Sequence, residues 1–176
     1  MQDAMAYARA EFLTPSGLSE HALDKVFAEL LSTDTTIADL YFQAARYESW
    51  GLEEGIVKSG SYSIERGVGV RSVCGEQTGF AYSDEISLQA LLESARAARA
   101  ISRAGQSGKV QAWKAQVPTR HLYGLSDPLA SLSEADKIDL LHRMDSKARA
   151  ASPYVKQVMA SLVAVHEIIL IVDEQG

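Results

Sequence analysis

Between Ile37 and Tyr82 the chain alternates between β-branched or aromatic residues and glycine, and this constrains its fold more than any other feature of the sequence. Tyr41, Phe42, Tyr47, Trp50, Ile56, Val57, Tyr62, Ile64, Val68, Val70, Val73, Phe80 and Tyr82 suit a pleated surface. Gly51, Gly55, Gly60, Gly67, Gly69, Gly75 and Gly79 punctuate them. Links of two to five residues join antiparallel strands, because a parallel crossover needs a dozen residues or more. The spacing therefore predicts a meander, with strands near 39–50, 52–58, 62–73 and 78–82.

Helical periods flank the meander. Ala4, Ala8, Phe12 and Leu13 recur at helical spacing until Thr14-Pro15-Ser16-Gly17. Ser19 then caps a second run with Ala22, Leu23, Val26, Phe27, Leu30 and Leu31 on one side. From about Glu85 to Arg103, Leu88, Leu91, Leu92, Ala95, Ala98 and Ile101 form one face, with Arg96, Arg99 and Arg103 toward the end where cations suit the helix dipole. Residues 105–131 hold Gly105, Gly108, Pro118, Gly124 and Pro128 without a sustained period, as expected of a connection that lies over the surface or contacts a partner. Ser133-Glu134-Ala135-Asp136 is a capping-box signature for a helix to about Ala150, with Ile138, Leu141, Met144 and Ala148 inward. Tyr154 to Val172 condenses into a buried strand that stops soon after at Gly176. Such a strand wants a partner, so the expectation is that the chain is the front part of a longer polypeptide and self-associates through this strand when isolated.

These elements predict an α+β fold of two layers, an antiparallel β-meander sheet covered by α-helices. The 176 residues are 47% apolar and 23% charged, ordinary globular values that exclude wholesale disorder or a fibrous repeat. Seventeen basic against 23 acidic residues give a net charge of −6, the wrong sign for a protein that neutralises phosphates or anionic lipid. Neither a basic leader nor an 18-residue apolar run is present, so the expected compartment is cytoplasmic. One cysteine, Cys74, permits neither an internal disulfide nor a thiolate zinc cluster.

Candidate chemistry is sparse. The four histidines, His21, His121, His142 and His166, share no metal-ligand spacing on one helix. His166-Glu167 fails as a zincin motif, because Leu170 and Ile171 follow, and His166 reads as a strand residue with a satisfied ring nitrogen. Gly67-Val68-Gly69 resembles half of a dinucleotide fingerprint, but a strand follows where that motif needs a helix, so the glycines read as allowing a bulge or a close backbone approach. Cys74 sits beside Gly75 at a hairpin tip with no base to activate it. Glu48, Glu53, Glu54 and Glu65 read as a solvated strand face. No catalytic, cofactor-binding or metal-ligating residue is assigned.

Several spaced blocks carry a resemblance: Ala38-Asp39-Leu40-Tyr41-Phe42-Gln43, Glu48-Ser49-Trp50, Gly60-Ser61-Tyr62, Gly67-Val68-Gly69-Val70-Arg71 and Thr78-Gly79-Phe80-Ala81-Tyr82, with Asp127-Pro128-Leu129 and Glu167-Ile168-Ile169-Leu170 further on. In this order they resemble the amino-terminal region of the TldD branch of the TldD/PmbA metallopeptidase family, formerly labelled modulator of DNA gyrase. The resemblance implies a cytoplasmic zinc-dependent peptidase. It works as a complex of TldD-like and PmbA-like subunits and cleaves extended, unfolded peptides, as in maturation of a microcin precursor or degradation of an antitoxin. In the family the zinc lies in a later domain, on a His-Glu-x-x-x-His helix with an added cysteine ligand, and none of those positions exists here.

By resemblance, then, residues 1–176 are a single TldD-like amino-terminal domain without the zinc domain, binding no stoichiometric zinc. It is non-catalytic alone and contributes to subunit assembly and substrate access. The alternative is a stand-alone binding or regulatory module with no hydrolytic activity. The expected partners are a PmbA-like or TldD-like subunit and an extended peptide, not nucleic acid or a membrane. Tyr41, Trp50 and Tyr82 are candidate interface anchors, since large aromatics dominate hot spots, and Arg71 is a candidate to pair with a carboxylate. The competing reading places these aromatics in the core beneath the helices.

Overall fold

The computed structural model describes residues 4–31, 34–103 and 126–173. Most of the connection expected over 105–131, together with His121 and the last three residues, lies outside the described residues. The order of elements is α1 (Ala4–Phe12), α2 (Glu20–Leu30), β1 (Thr35–Glu53), β2 (Ile56–Cys74), β3 (Gln77–Ser83), α3 (Leu88–Arg103), α4 (Glu134–Ala151) and β4 (Met159–Asp173). The strands form one antiparallel sheet of order β3-β2-β1-β4. The α+β class and an antiparallel meander are as expected, but the meander has three strands, β1-β2-β3, where four were expected. The carboxy-terminal strand adds beside β1, leaving β4 at a sheet edge among the described residues.

The expected strand near 52–58 straddles the reversal between β1 and β2, and its part after Gly55 runs on without a break into the strand expected near 62–73 to make β2. Gly51 and Gly60, read as turn residues, lie inside strands, where contacts explain their size. A Cβ on Gly51 would stand 2.6 Å from Ser59 Oγ, and one on Gly60 would stand 3.2 Å from Trp50 Cζ3. The reversal falls at Glu54-Gly55, with φ of 51° and 74°. Two consecutive left-handed residues make the type I′ turn that matches the twist of a two-residue hairpin. Cys74 pairs with Gln77 across the next hairpin. Its side chain is buried rather than displayed at a tip, with Sγ 3.5 Å from Ser102 Oγ.

The chain divides into two compact units, whose boundaries fall within β1, β2 and β4. The first comprises the described residues of Met1–Ala44, Arg66–Gly124 and Ile168–Gly176. Alternate residues of β1 (Ala38, Leu40, Phe42, Ala44) and β2 (Val68, Val70) point into one core, which Phe12 of α1, Val26 and Leu30 of α2 and Leu91 of α3 complete. Ser19 caps α2 as predicted, accepting from the Ala22 amide. Leu31 and Ile101, expected inward, are 39% and 51% exposed, because α2 ends before Leu31 and α3 instead turns Leu91, Ala95, Ala98 and Ser102 to the sheet. Small residues there let the helix approach β3 so closely that only glycine fits at position 79. Of the bulge or close backbone approach expected at Gly67 and Gly69, the close approach is present at Gly67, where a Cβ would lie 2.8 Å from the Ser83 carbonyl oxygen, while at Gly69 it is the Phe80 side-chain ring that would lie 2.9 Å away.

The second unit comprises Ala45–Glu65 and the described residues of Leu125–Glu167. Its small core joins Leu52, Leu141 and Ala160, with Trp50, Val57 and Leu162 against them. The capping box at Ser133 is formed as expected, with Asp136 answering the Ser133 amide. The inward face of α4 differs from expectation. Met144 is 44% exposed, and the buried positions are Lys137, Leu141 and Asp145. Two charged residues can occupy that stripe because each meets an opposite charge: Lys137 meets Glu48, and Asp145 meets Arg149 at 3.1 Å.

Candidate functional site

Period-two alternation along β1 places Arg46, Glu48 and Trp50 on one face of the second unit. These residues, with Gly60, Ser61 and Tyr62 of β2 and a stretch from Asp127 to Lys137, line a cavity of about 720 Å³. Two charge clusters build its wall. In the first, the Lys137 ammonium donates to Glu48 Oε1 at 2.9 Å, Glu48 Oε2 at 2.7 Å and the Leu129 carbonyl at 2.8 Å. The Trp50 indole N–H also donates to Glu48. Lys137 and Glu48 are both buried. The Lys137 hydrogen bond, then that from Trp50, hold the Glu48 carboxyl below its ordinary value against the opposing effect of burial.

In the second cluster Arg46 Nη2 donates to Asp127 Oδ2 at 2.9 Å and to His166 Nδ1 at 2.7 Å. A ring nitrogen that accepts from a guanidinium carries a lone pair, which fixes the His166 tautomer. The satisfied ring nitrogen expected for His166 is therefore present. Asp127 also accepts from the Leu129 amide at 3.0 Å, which pins the start of the loop leading to α4. Burial raises the Asp127 carboxyl, but this amide and Arg46 together outweigh it and bring it below the usual range. Burial likewise opposes ionised Arg46, and Asp127, with a smaller contribution from Tyr62, outweighs it.

The described residues do not fit a metal. No three His, Cys, Asp or Glu side chains among them converge as a donor set. Where His166 and Asp127 approach each other, at 3.9 Å, the Arg46 guanidinium already supplies the positive charge.

The candidate interface residues separate. Trp50 lies in the second unit, against Gly60 and the cavity. Tyr41, Arg71 and Tyr82 lie in the first unit, on the sheet face opposite its core. The register pairs Gly69 with Tyr82 and Arg71 with Phe80, so these four share a face, and a Cβ on Gly69 would meet both Phe80 and Tyr41. Tyr82 is 74% exposed and Tyr41 is half-buried. Arg71 pairs within the chain, its Nε 2.8 Å from Asp39 Oδ2 and its Nη2 on the same oxygen. Sequence reasoning missed Glu48 and Lys137. Glu48 is not on a solvated face: its period-two phase with buried Ala44 and Leu52 was the available signal, and Lys137 four residues before Leu141 was its counterpart.

Comparison with known proteins places this geometry. Residues 38–102 match the PmbA/TldA metallopeptidase domain 1, and residues 127–176 match the PmbA/TldA metallopeptidase central domain. The Metalloprotease TldD homolog of Haemophilus influenzae is 44% identical over 166 residues, covering 93% of this chain and 34% of that protein. The Metalloprotease TldD homolog of Buchnera aphidicola subsp. Schizaphis graminum is 35% identical over 164 residues, with the same coverages. The chain thus spans about a third of the length of these relatives. Among solved structures, a protein described as a modulator of DNA gyrase from Bacteroides thetaiotaomicron superposes with a TM-score of 0.67 at 15% identity, over 89% of this chain and 37% of that one. TldE from Thermococcus kodakarensis superposes with a TM-score of 0.58 at 13% identity, over 85% and 34% respectively. These last two share the fold. With its first-domain and central-domain matches in family order and its close TldD relatives, the chain belongs to the PmbA/TldD metallopeptidase family.

Proposed function

We propose that this chain is the non-catalytic amino-terminal part of a cytoplasmic, zinc-dependent TldD-like peptidase that cleaves unfolded peptides, and that it contributes to subunit assembly and substrate access. The zinc ligands would lie in a further domain of the parent enzyme. The observation that carries the assembly role is the sheet face of the first unit that no element among the described residues covers, where Tyr82, Phe80, Ile169 and Ile171 are 74%, 55%, 43% and 59% exposed. A sheet normally buries one face and solvates the other with polar residues, and an apolar face of this kind marks an interaction surface. The occupant we assign is a PmbA-like subunit, in keeping with the likeness to both TldD and TldE proteins.

Co-expression tests the reading. The chain is expected to co-purify with a PmbA-like subunit, and Tyr82→Asp is expected to weaken that association about tenfold or more, the loss typical of an interface anchor. Because Tyr82 is so exposed, the variant should melt as the wild type does. Failure to co-purify, or undiminished association of Tyr82→Asp, would reject the assignment. If association persists but the parent protein hydrolyses no unfolded casein, the chain is a binding module instead.

A further inference from the structure

His166 stands where one proton changes two contacts at once. Its Nδ1 accepts from Arg46 Nη2 at 2.7 Å, and Asp127 Oδ1 lies 3.9 Å from the same nitrogen. Arg46 Nη2 also reaches the other carboxylate oxygen of Asp127, at 2.9 Å. The three groups come from β4, β1 and the stretch before α4, all within the second unit. Beyond them, the charged and titratable groups on this side of the unit are Tyr62 of β2, which hydrogen-bonds Arg46, and the mutually neutralised pair of Glu48 on β1 and Lys137 on α4. Glu167 follows His166 in the strand and so lies on the opposite face.

Only a neutral ring fits this arrangement. A protonated Nδ1 is a donor, and a guanidinium has no lone pair to offer it. At 2.7 Å two donors and two positive charges would oppose each other. The His166 side chain is only 12% exposed, so a proton gained there needs a partner inside the protein. Asp127 Oδ1 is that partner: bringing it from 3.9 Å to hydrogen-bond distance takes a movement of about 1 Å.

The carboxylate that moves is also a fastening. Asp127 Oδ1 accepts from the Leu129 amide at 3.0 Å, and the Leu129 carbonyl accepts from Lys137 Nζ at 2.8 Å. Leu129 is buried and tied at both of its backbone polar groups, one to each charge cluster. Asp127, Leu129 and Lys137 all line the cavity, so this chain of contacts is part of its wall.

We infer that His166 is a proton-operated latch on the cavity wall. Neutral, it holds Arg46 and leaves Asp127 to fasten Leu129. Protonated, it turns Arg46 away and draws Asp127 to itself, which releases the Leu129 amide and leaves the wall with one more positive charge. Histidine suits the task because imidazole ordinarily changes charge between about pH 5 and pH 8. The inference concerns the second unit alone and is independent of the assembly role.

Nitrogen-15 NMR of the whole chain tests it. At about pH 8 the His166 Nδ1 resonance is expected in the range of a nitrogen that carries a lone pair, and it should cross to the protonated range as pH falls to about 5. Hydrogen exchange of the Leu129 amide is followed in parallel and expressed as a protection factor, so that the pH dependence of exchange itself cancels. Protection should fall about tenfold or more with the same midpoint as the ring, the equivalent of one hydrogen bond to a charged acceptor. His166→Asn places an amide oxygen near the position of Nδ1, where it accepts from Arg46 and cannot titrate. In this variant Leu129 should stay protected across the whole interval, while His21, His121 and His142 remain free to titrate. Should the variant not fold, coincidence of the two midpoints in the wild type still decides. A ring that titrates with no change at Leu129 overturns the inference, as does a loss of protection that His166→Asn retains. So does an Nδ1 already protonated at about pH 8, or a ring still neutral at about pH 5.

Discussion

Gly79→Ala is expected to destabilise the first unit by about 3 kcal/mol or more, at the upper end for overpacking a core. In an open strand the same change would help, because glycine loses more chain entropy on folding than alanine does. Packing reverses the sign here. The added methyl would stand 1.8 Å from the Ala98 carbonyl oxygen and 2.8 Å from the Ser102 amide nitrogen, both backbone atoms of α3 that no rotamer change can move. The helix must retreat by more than an ångström, and Ser102, hydrogen-bonded at 3.3 Å to Ser72 on the neighbouring strand, goes with it. For a chain of this size the melting temperature should fall by about 6–12 °C. Gly17→Ala is the control: nothing lies within 4 Å of the added carbon, and only its φ of +62° is unfavourable. That should cost about 1 kcal/mol. Equal losses at the two sites would mean that α3 does not lie against β3 as described.

This contrast shows what the sequence could and could not reveal. Ser19 and the Ser133–Asp136 box announced two helix starts because capping is local chemistry, complete within four residues. The meander was legible because β-branched and aromatic residues alternate over its whole length. The joining of two expected strands into β2 was not, since a glycine that admits a neighbour's ring, as Gly60 admits Trp50, looks in sequence like a glycine that turns the chain. The open face with Tyr41, Arg71 and Tyr82 was half legible: alternation gives the shared face, but only the absence of a covering layer among the described residues gives its exposure. The cavity was not legible. It depends on Glu48 meeting Lys137 across 89 residues, and a lone carboxylate in a strand carries no mark of so distant a partner.

That pair gives the second large effect. Lys137→Met should destabilise the second unit by about 3–5 kcal/mol, because the Glu48 carboxylate would stay buried without its cation. Most of this loss is a penalty for the stranded charge rather than a measure of the attraction. The double variant Glu48→Leu/Lys137→Met should therefore recover a substantial part of it. Recovery should stop short of complete, because the Trp50 N–H and the Leu129 carbonyl each lose a partner, at about 1–3 kcal/mol apiece if no water reaches them. The sign with pH follows from Glu48, whose folded value lies below its ordinary 4.5. Its contribution is fully present above about 4.5 and is lost as pH falls through the folded value. In Lys137→Met burial acts without the opposing ammonium and raises that carboxyl, so the variant is penalised most near neutrality. The gap between wild type and Lys137→Met in urea unfolding should thus be widest near pH 7 and narrow progressively as pH falls, first through the raised value in the variant and then through the lowered one in the wild type. A gap that stays constant from pH 7 to pH 3.5 would show that Lys137 acts by packing its stem, with the ion pair contributing nothing to the cavity wall.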